Sequence, residues 1–359
     1  MSRILDKESM RDMVKGAAFL GTGGGGPVEA GMDIVEELEK VTMVSLEEVD
    51  DEATIVVAES MGSPEVMSEK GFTDQTVKAF EAFQTHTGKK VDYVIPVETG
   101  AGNSITPMTV SSKKGIPVID ADGAGRAIPE LQQTTFNIYG IPMCPAALAD
   151  DKGDWVIVDV RDEYMMEDLS RAITTEFGGQ AGLVWHMMSG REMKEVVIPE
   201  ALSIAEDVGR TLRESVEKGK DPVSEVVKLV DGYEFIRGTV SAKSVETKKS
   251  FDYGEVIVKG SGGHEGSDLR VLYKNENMLA WKKEELVAMV PDRICWLTVD
   301  GEPLTNADIK KGMEVACIGI EAHEMWTTDK ALNTFERVLK ELDYNGEYVP
   351  LADLIKKER

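Results

Sequence analysis

Three apolar runs at 54–58, 93–97 and 116–119 each end in a polar, glycine-bearing loop, and segments of helical pattern separate them. Strands that alternate with helices need crossover connections, which build a mostly parallel sheet covered by helices on both faces. In such a sheet the polar groups at the strand ends collect along one edge. The first loop carries Glu59, Ser60 and Ser63, and the second carries Glu98, Gly102 and Asn103. The third, from Asp120 to Glu130, carries Asp120, Asp122, Gly123, Gly125 and Arg126. One acidic loop is weak evidence of a site; three in register point to a pocket.

Upstream, a helical pattern at 4–20 runs into Gly21-Thr22-Gly23-Gly24-Gly25-Gly26-Pro27, and a second helix is predicted at 28–39. Glycines ahead of a helix start present backbone N–H groups to an anion or a carbonyl oxygen. This run follows a helix and lacks a Lys-Ser/Thr ending, so it fits neither a dinucleotide fingerprint nor a phosphate loop. Further strands are predicted at 41–46, 154–160 and 183–189, with helices at 73–84, 163–176 and 198–217.

Around Asp231 the pattern changes to short strand-like runs at 233–239, 243–249, 254–259, 269–275, 278–282, 286–290 and 293–297. Gly, Asn and Asp turns space them, as in an antiparallel barrel or sandwich. The expected fold is therefore a three-layer α/β domain over 1–175 and a connecting helix with a β-barrel-like domain over 176–324. The tail, 325–359, is expected to pack back on the first domain. A length of 359 residues suits two cores better than one.

A formal net charge of -25 argues against nucleic acid or an anionic membrane as partner. No apolar run spans a bilayer and the amino terminus resembles no signal peptide, so a cytoplasmic location is expected. Cys144, Cys295 and Cys317 have no pairing or metal spacing and read as reduced, buried thiols. The sequence requires no cofactor, although acidic loops leave a divalent metal open. A small-molecule substrate and a homo-oligomeric state are expected.

Several blocks resemble the S-methyl thiohydantoin desulfurase-like family, long catalogued as the domain of unknown function DUF917. They are Gly-Thr-Gly-Gly-Gly-Gly-Pro at 21–27, Gly62-Ser63-Pro64 with Glu69-Lys70, and the stretch from Asp120 to Glu130. In the second half they are Gly238-Thr239-Val240, Asn275-Glu276-Asn277, 290–294 and 301–304. The resemblance implies a three-layer α/β domain joined to a β-barrel-like one. It also implies hydrolysis of an S-methylated thiohydantoin to a hydantoin, or action on a related hydantoin or oxoproline ring.

Replacing methylthio by oxygen at an amidine-like carbon needs an activated water, charge stabilisation on the ring and a proton for the leaving thiol. Asp120, Asp122, Arg126, Glu59 and Glu98 are the catalytic candidates. A carboxylate with raised pKa serves as base, and which carboxylate does so stays open. Arg126 suits a bidentate grip on a substrate carboxylate or carbonyl. Gly23, Gly24, Gly25 and Gly26 offer N–H groups to developing negative charge. Ser63, Asn103, Glu130 and His264 are substrate-binding candidates. Among the other histidines, His86 is expected in an exposed loop and His186 in the core, while His323 has a place near the cleft. A non-catalytic metabolite-binding or partner subunit of a hydantoinase-type enzyme is the alternative to an enzyme.

Overall fold

Thr54–Gly62 has seven consecutive buried residues, the mark of a strand covered on both faces. The computed structural model describes residues 2–62, 66, 74–248 and 251–358, and this strand lies inside an eight-stranded sheet. On one side come Tyr93–Ile95, Val118–Ile119, Val41–Val44 and Arg3–Leu5; on the other come Gln180–Ser189, Ala146–Ala149 and Trp155–Val158. Four of these strands form a parallel core: Val41–Val44, Val118–Ile119, Tyr93–Ile95 and Thr54–Gly62. The flanking pairings are antiparallel. The sheet is thus mixed, and the expectation of a mostly parallel one holds for its centre. Ala146–Ala149 returns as Trp155–Val158 through a tight turn with no crossover helix, and Gln180–Ser189 lies antiparallel beside Thr54–Gly62. In that turn Asp150 Oδ1 accepts from the N–H groups of Lys152, Gly153 and Asp154.

Helices cover both faces, giving three layers. Val14, Ile34, Phe80, Phe83 and Met108 pack one face; Phe136, Met166 and Met193 pack the other. The helix expected at 4–20 is Lys7–Leu20, and Arg3–Leu5 ahead of it pairs with Val41–Val44 as an edge strand. His86 lies exposed in the last turn of the helix Gln75–Thr87 and not in a loop. Gln180–Ser189 pairs with Thr54–Gly62, so the first sheet extends past residue 175.

The second sheet is antiparallel and eight-stranded. The runs expected at 233–239 and 243–249 are one strand, Tyr233–Lys248, interrupted by bulges that bend it without ending it. The terminal strands of the sheet, Glu285–Met289 and Pro303–Leu304, do not pair with each other, so no closed barrel forms among the described residues. No helix is long and apolar enough to cross a membrane among the described residues.

Arg126 joins the two sheets. Its guanidinium is fully buried and donates to the carbonyls of Ala127 (3.0 Å), Pro291 (2.9 Å), Asp292 (3.3 Å) and Asn277 (3.2 Å), and to Thr22 Oγ1 (3.3 Å). The tail straddles the same junction. Trp326 Nε1 donates to the Ala124 carbonyl at 2.7 Å, and Leu351 N–H donates to Asp292 Oδ2 at 2.9 Å. Leu351 also belongs to the apolar core of the second sheet. Removing one partner of a buried hydrogen bond costs about 1–3 kcal/mol per orphaned group. Arg126→Ala is therefore expected to lower the unfolding free energy by roughly 3 kcal/mol or more, measured as a shift of the urea midpoint.

Candidate active site

A cavity of about 310 Å³ opens where the glycine run, the strand-end loops of the first sheet and the rim of the second sheet meet. Its wall includes Gly23–Gly26, Glu59, Glu98, Asn103 and Glu130, brought together as the loops at strand ends predict. The second sheet contributes Glu276, Asn275 and Asn306.

The glycine run is tightly enclosed. A Cβ on Gly24 would lie 2.0 Å from Glu276 Oε1, and one on Gly25 would lie 2.4 Å from the Gly100 Cα. Gly25 and Gly26 both have positive φ, 78° and 92°, a conformation that favours glycine. Among the described residues their N–H groups donate to no protein acceptor, which leaves two donors at the cavity wall.

Three buried carboxyl groups face this space from different elements. Glu59 lies in the strand Thr54–Gly62, and Glu98 follows Tyr93–Ile95. Glu276 starts the strand Glu276–Lys282, immediately after Asn275, whose φ is 55°. Glu98 accepts from Asn103 Nδ2 at 2.9 Å and from Ile128 N–H at 2.6 Å. Asn103 Oδ1 accepts in turn from Ser60 N–H at 3.2 Å, which orients the amide. Among the described residues Glu59 Oε1 and Glu276 Oε2 have no hydrogen-bond partner.

Burial raises all three pKa values. The Glu98 carboxyl is pushed up to about 7, with its two donors partly offsetting the burial. Burial and then the nearby Glu98 push Glu276 to about 8 and Glu59 well above the carboxylate range. Hydrogen bonds from N–H groups favour the ionised form, so Glu98 is the one of the three built to carry charge. Glu59 and Glu276 hold protons near neutral pH.

The other candidates stand elsewhere or in supporting positions. Asp120 accepts from the N–H groups of Leu202 (3.0 Å) and Ser203 (2.9 Å), capping the helix Ala201–Glu217. Asp122 accepts from Thr99 Oγ1 (2.5 Å) and from the N–H groups of Ala124 (3.0 Å) and Gly125 (2.7 Å), closing the turn that carries Arg126. Asp120, Asp122 and Arg126 do not line the cavity. His264 pairs with Glu234 at 3.1 Å in a short 3₁₀ turn away from it. Glu130 lines it, but Lys274 holds one oxygen at 2.6 Å and Gln132 Nε2 the other. Ser63 lies outside the described residues. His186 is fully buried beside Trp185 and Phe136, as a core histidine should be. Among the described residues no group of three or more His, Cys, Asp or Glu is arranged to hold a metal.

Glu276, Asn306 and Arg171 were not among the sequence candidates. Glu276 had one available signal, a carboxylate between two asparagines at a strand start. Arg171 lies in the helix Glu163–Glu176 and reaches the wall with Nε bonded to Glu167 Oε1 at 2.5 Å and Nη2 bonded to the Pro129 carbonyl at 3.0 Å.

Fold and site together define a class: an α/β domain and an antiparallel β domain with a carboxyl-lined cavity at their junction. The chain belongs to the S-methyl thiohydantoin desulfurase-like (S-Me-THD-like) family. The family's N-terminal domain matches residues 8–160 and its C-terminal domain residues 161–351. No curated protein matches the chain. A crystal structure of a protein from Chromobacterium violaceum is similar, with 25% identity and a TM-score of 0.86, covering 97% of this chain and 100% of that one.

Gly25→Ala combines a strained φ with a backbone clash, each costing on the order of 1–3 kcal/mol. The variant is expected to unfold several degrees below the parent in a calorimetric scan. An unchanged midpoint would mean that the loop relaxes freely.

Proposed function

We propose that this chain is a hydrolase acting on a small cyclic amide-like ring, with an S-methyl thiohydantoin converted to a hydantoin and methanethiol as the favoured reaction. The observation that carries this reading is the cavity with an ionisable Glu98 beside the protonated Glu59 and Glu276. Family membership supports the ring class.

The residues map onto the steps of such a hydrolysis. Ionised Glu98 takes a proton from water, whose oxygen bonds to the sulfur-bearing carbon. Glu276 gives its proton to the ring nitrogen as the C=N bond becomes single. The tetrahedral carbon then forms C=O and breaks C–S. Its hydroxyl proton returns to Glu276, and Glu98 delivers its own proton to the leaving sulfur, so both carboxyl groups end as they began. The free N–H groups of Gly25 and Gly26 suit negative charge developing at oxygen. Asp120, Asp122 and Arg126 serve in this proposal by holding the loops and sheets in place.

The test is thiol release from an S-methyl thiohydantoin. General base catalysis contributes about 10²–10⁴-fold, so Glu98→Gln should lose that much kcat/KM while keeping the parent's circular dichroism spectrum. Full activity in this folded variant would overturn the assignment. A base must be ionised and an acid protonated. kcat/KM should therefore rise with pH through about 7, where Glu98 ionises, and fall above about 8, where Glu276 loses its proton. Glu276→Gln should remove the falling limb.

A further inference from the structure

The cavity wall holds buried oxygens that the protein leaves without a partner. Among the described residues Glu59 Oε1, Glu276 Oε2 and Asn306 Oδ1 are buried and have no hydrogen-bond partner, and these side chains line the cavity at 5%, 3% and 5% exposure. The Trp185 indole N–H lies near the Glu59 carboxyl without completing a bond. Asn306 is fixed in this orientation, because its Nδ2 donates to the Asn275 carbonyl at 2.8 Å. A buried acceptor without a donor is costly, and three in one cavity point to a ligand that brings N–H groups.

The neighbouring cations are committed elsewhere. Arg126 donates to four carbonyls and a hydroxyl. Arg171 is bonded to Glu167 and the Pro129 carbonyl and lies over the Phe251 ring at 4.5 Å. Lys243 donates to the carbonyls of Asn306 and Ile309. None of them bonds to the three free oxygens.

We propose that the cavity recognises its ligand as a planar, N-protonated cation of the amidinium or isothiouronium type, with Glu59, Glu276 and Asn306 accepting its N–H groups. This deepens the hydrolase reading and rests on it for the location of the site. An S-methylated thiohydantoin has an isothiourea at its reacting carbon, so a neutral ring would become this cation in the site by taking the Glu276 proton onto its nitrogen. Protonation there makes the carbon more electrophilic before water adds.

A proton linkage follows. Glu276 is surrounded by Glu98, Arg126 and Arg171, and Glu59 by Glu98, Glu167, Arg171 and the Trp185 indole; Glu130, Lys243, Asp252 and Tyr273 also line the cavity. In the free protein Glu59 and Glu276 are protonated. A cation that carries its own protons makes one carboxyl proton redundant, and that proton leaves to solvent. Binding should strengthen as pH rises, because deprotonation then favours the complex.

The experiment is isothermal titration of the full chain at pH 7 with millimolar S-methylisothiouronium, in buffers of different ionisation enthalpy, with neutral hydantoin as comparison. The expected result is saturable one-to-one binding with about one proton released per cation. Glu276→Gln should weaken it about tenfold or more, as loss of a charged hydrogen-bond partner does. Asn306→Ala should weaken it severalfold, and it keeps the inference testable if the Gln variant does not fold. Hydantoin binding without cation binding would overturn the inference and leave the hydrolase reading intact. Cation binding without proton release, unaffected by either variant, would overturn it too. Cation binding as expected, in a protein that releases no thiol from a thiohydantoin, would uphold the inference and remove the hydrolase reading.

Discussion

A guanidinium buried between two sheets is the constraint on which the rest of this structure depends. Arg126 carries its charge in the interior, where an unpaired ion is far too costly to keep. Carbonyls from both halves of the chain, with Thr22 at the start of the glycine run, supply the required acceptors. Such acceptors must be fixed by their own backbones, so the turn at Asp122, the strand start near Asn277 and the segment after Val290 are held in one relative placement. The cavity is the space left between these fixed pieces.

Within that space the three carboxyl groups differ by their donors more than by their depth. All three are buried, and Glu98 raises the other two. Glu98 alone among them receives both a side-chain amide and a backbone N–H. Two donors favour a carboxylate, while a bare oxygen favours a carboxylic acid. Hydrogen bonding thus separates one carboxyl group built to ionise from two that keep their protons, the general means by which chemically identical residues take opposite protonation states. Asn103 is central to this division, because it ties Glu98 to the backbone of the strand that carries Glu59.

Much of the architecture was legible in the sequence. Alternating strands and helices, the change of pattern near Asp231 and the glycine run all correspond to observed elements. Two kinds of information were not local. The direction of Ala146–Ala149 and Gln180–Ser189 depends on which neighbour each strand finds, and hydrophobic pattern is the same for either direction. The loop at 120–130 has the composition of a catalytic loop, and its charges are spent on structure: Asp120 on a helix 80 residues later in sequence, Asp122 on its own turn, Arg126 on the second sheet. A short stretch containing carboxylates, glycines and an arginine looks alike whether those groups face a substrate or a distant carbonyl. Glu59 and Glu98 were legible because they end strands whose edge forms the pocket; Glu276 was not, since its partner surface comes from the other half of the chain.

The division of labour between the two sheets follows from the same geometry. Glu98 and its donors belong to the first half of the chain, whereas Glu276 and Asn306 belong to the second half. Neither half holds both a carboxyl group built to ionise and the full set of unpartnered acceptors. Small relative displacement of the sheets would separate Glu98 from Glu276, the base and acid of the proposed hydrolysis, and proton transfer tolerates little such displacement. Gly24 and Gly25 address this directly: with no side chains, they let Glu276 and Gly100 approach the same loop from opposite halves. Arg126 fixes the junction from behind, through Thr22 just before those glycines. The loop that offers N–H groups to the cavity is therefore held by contacts with both sheets, and the arginine that does not line the cavity sets the distance across it.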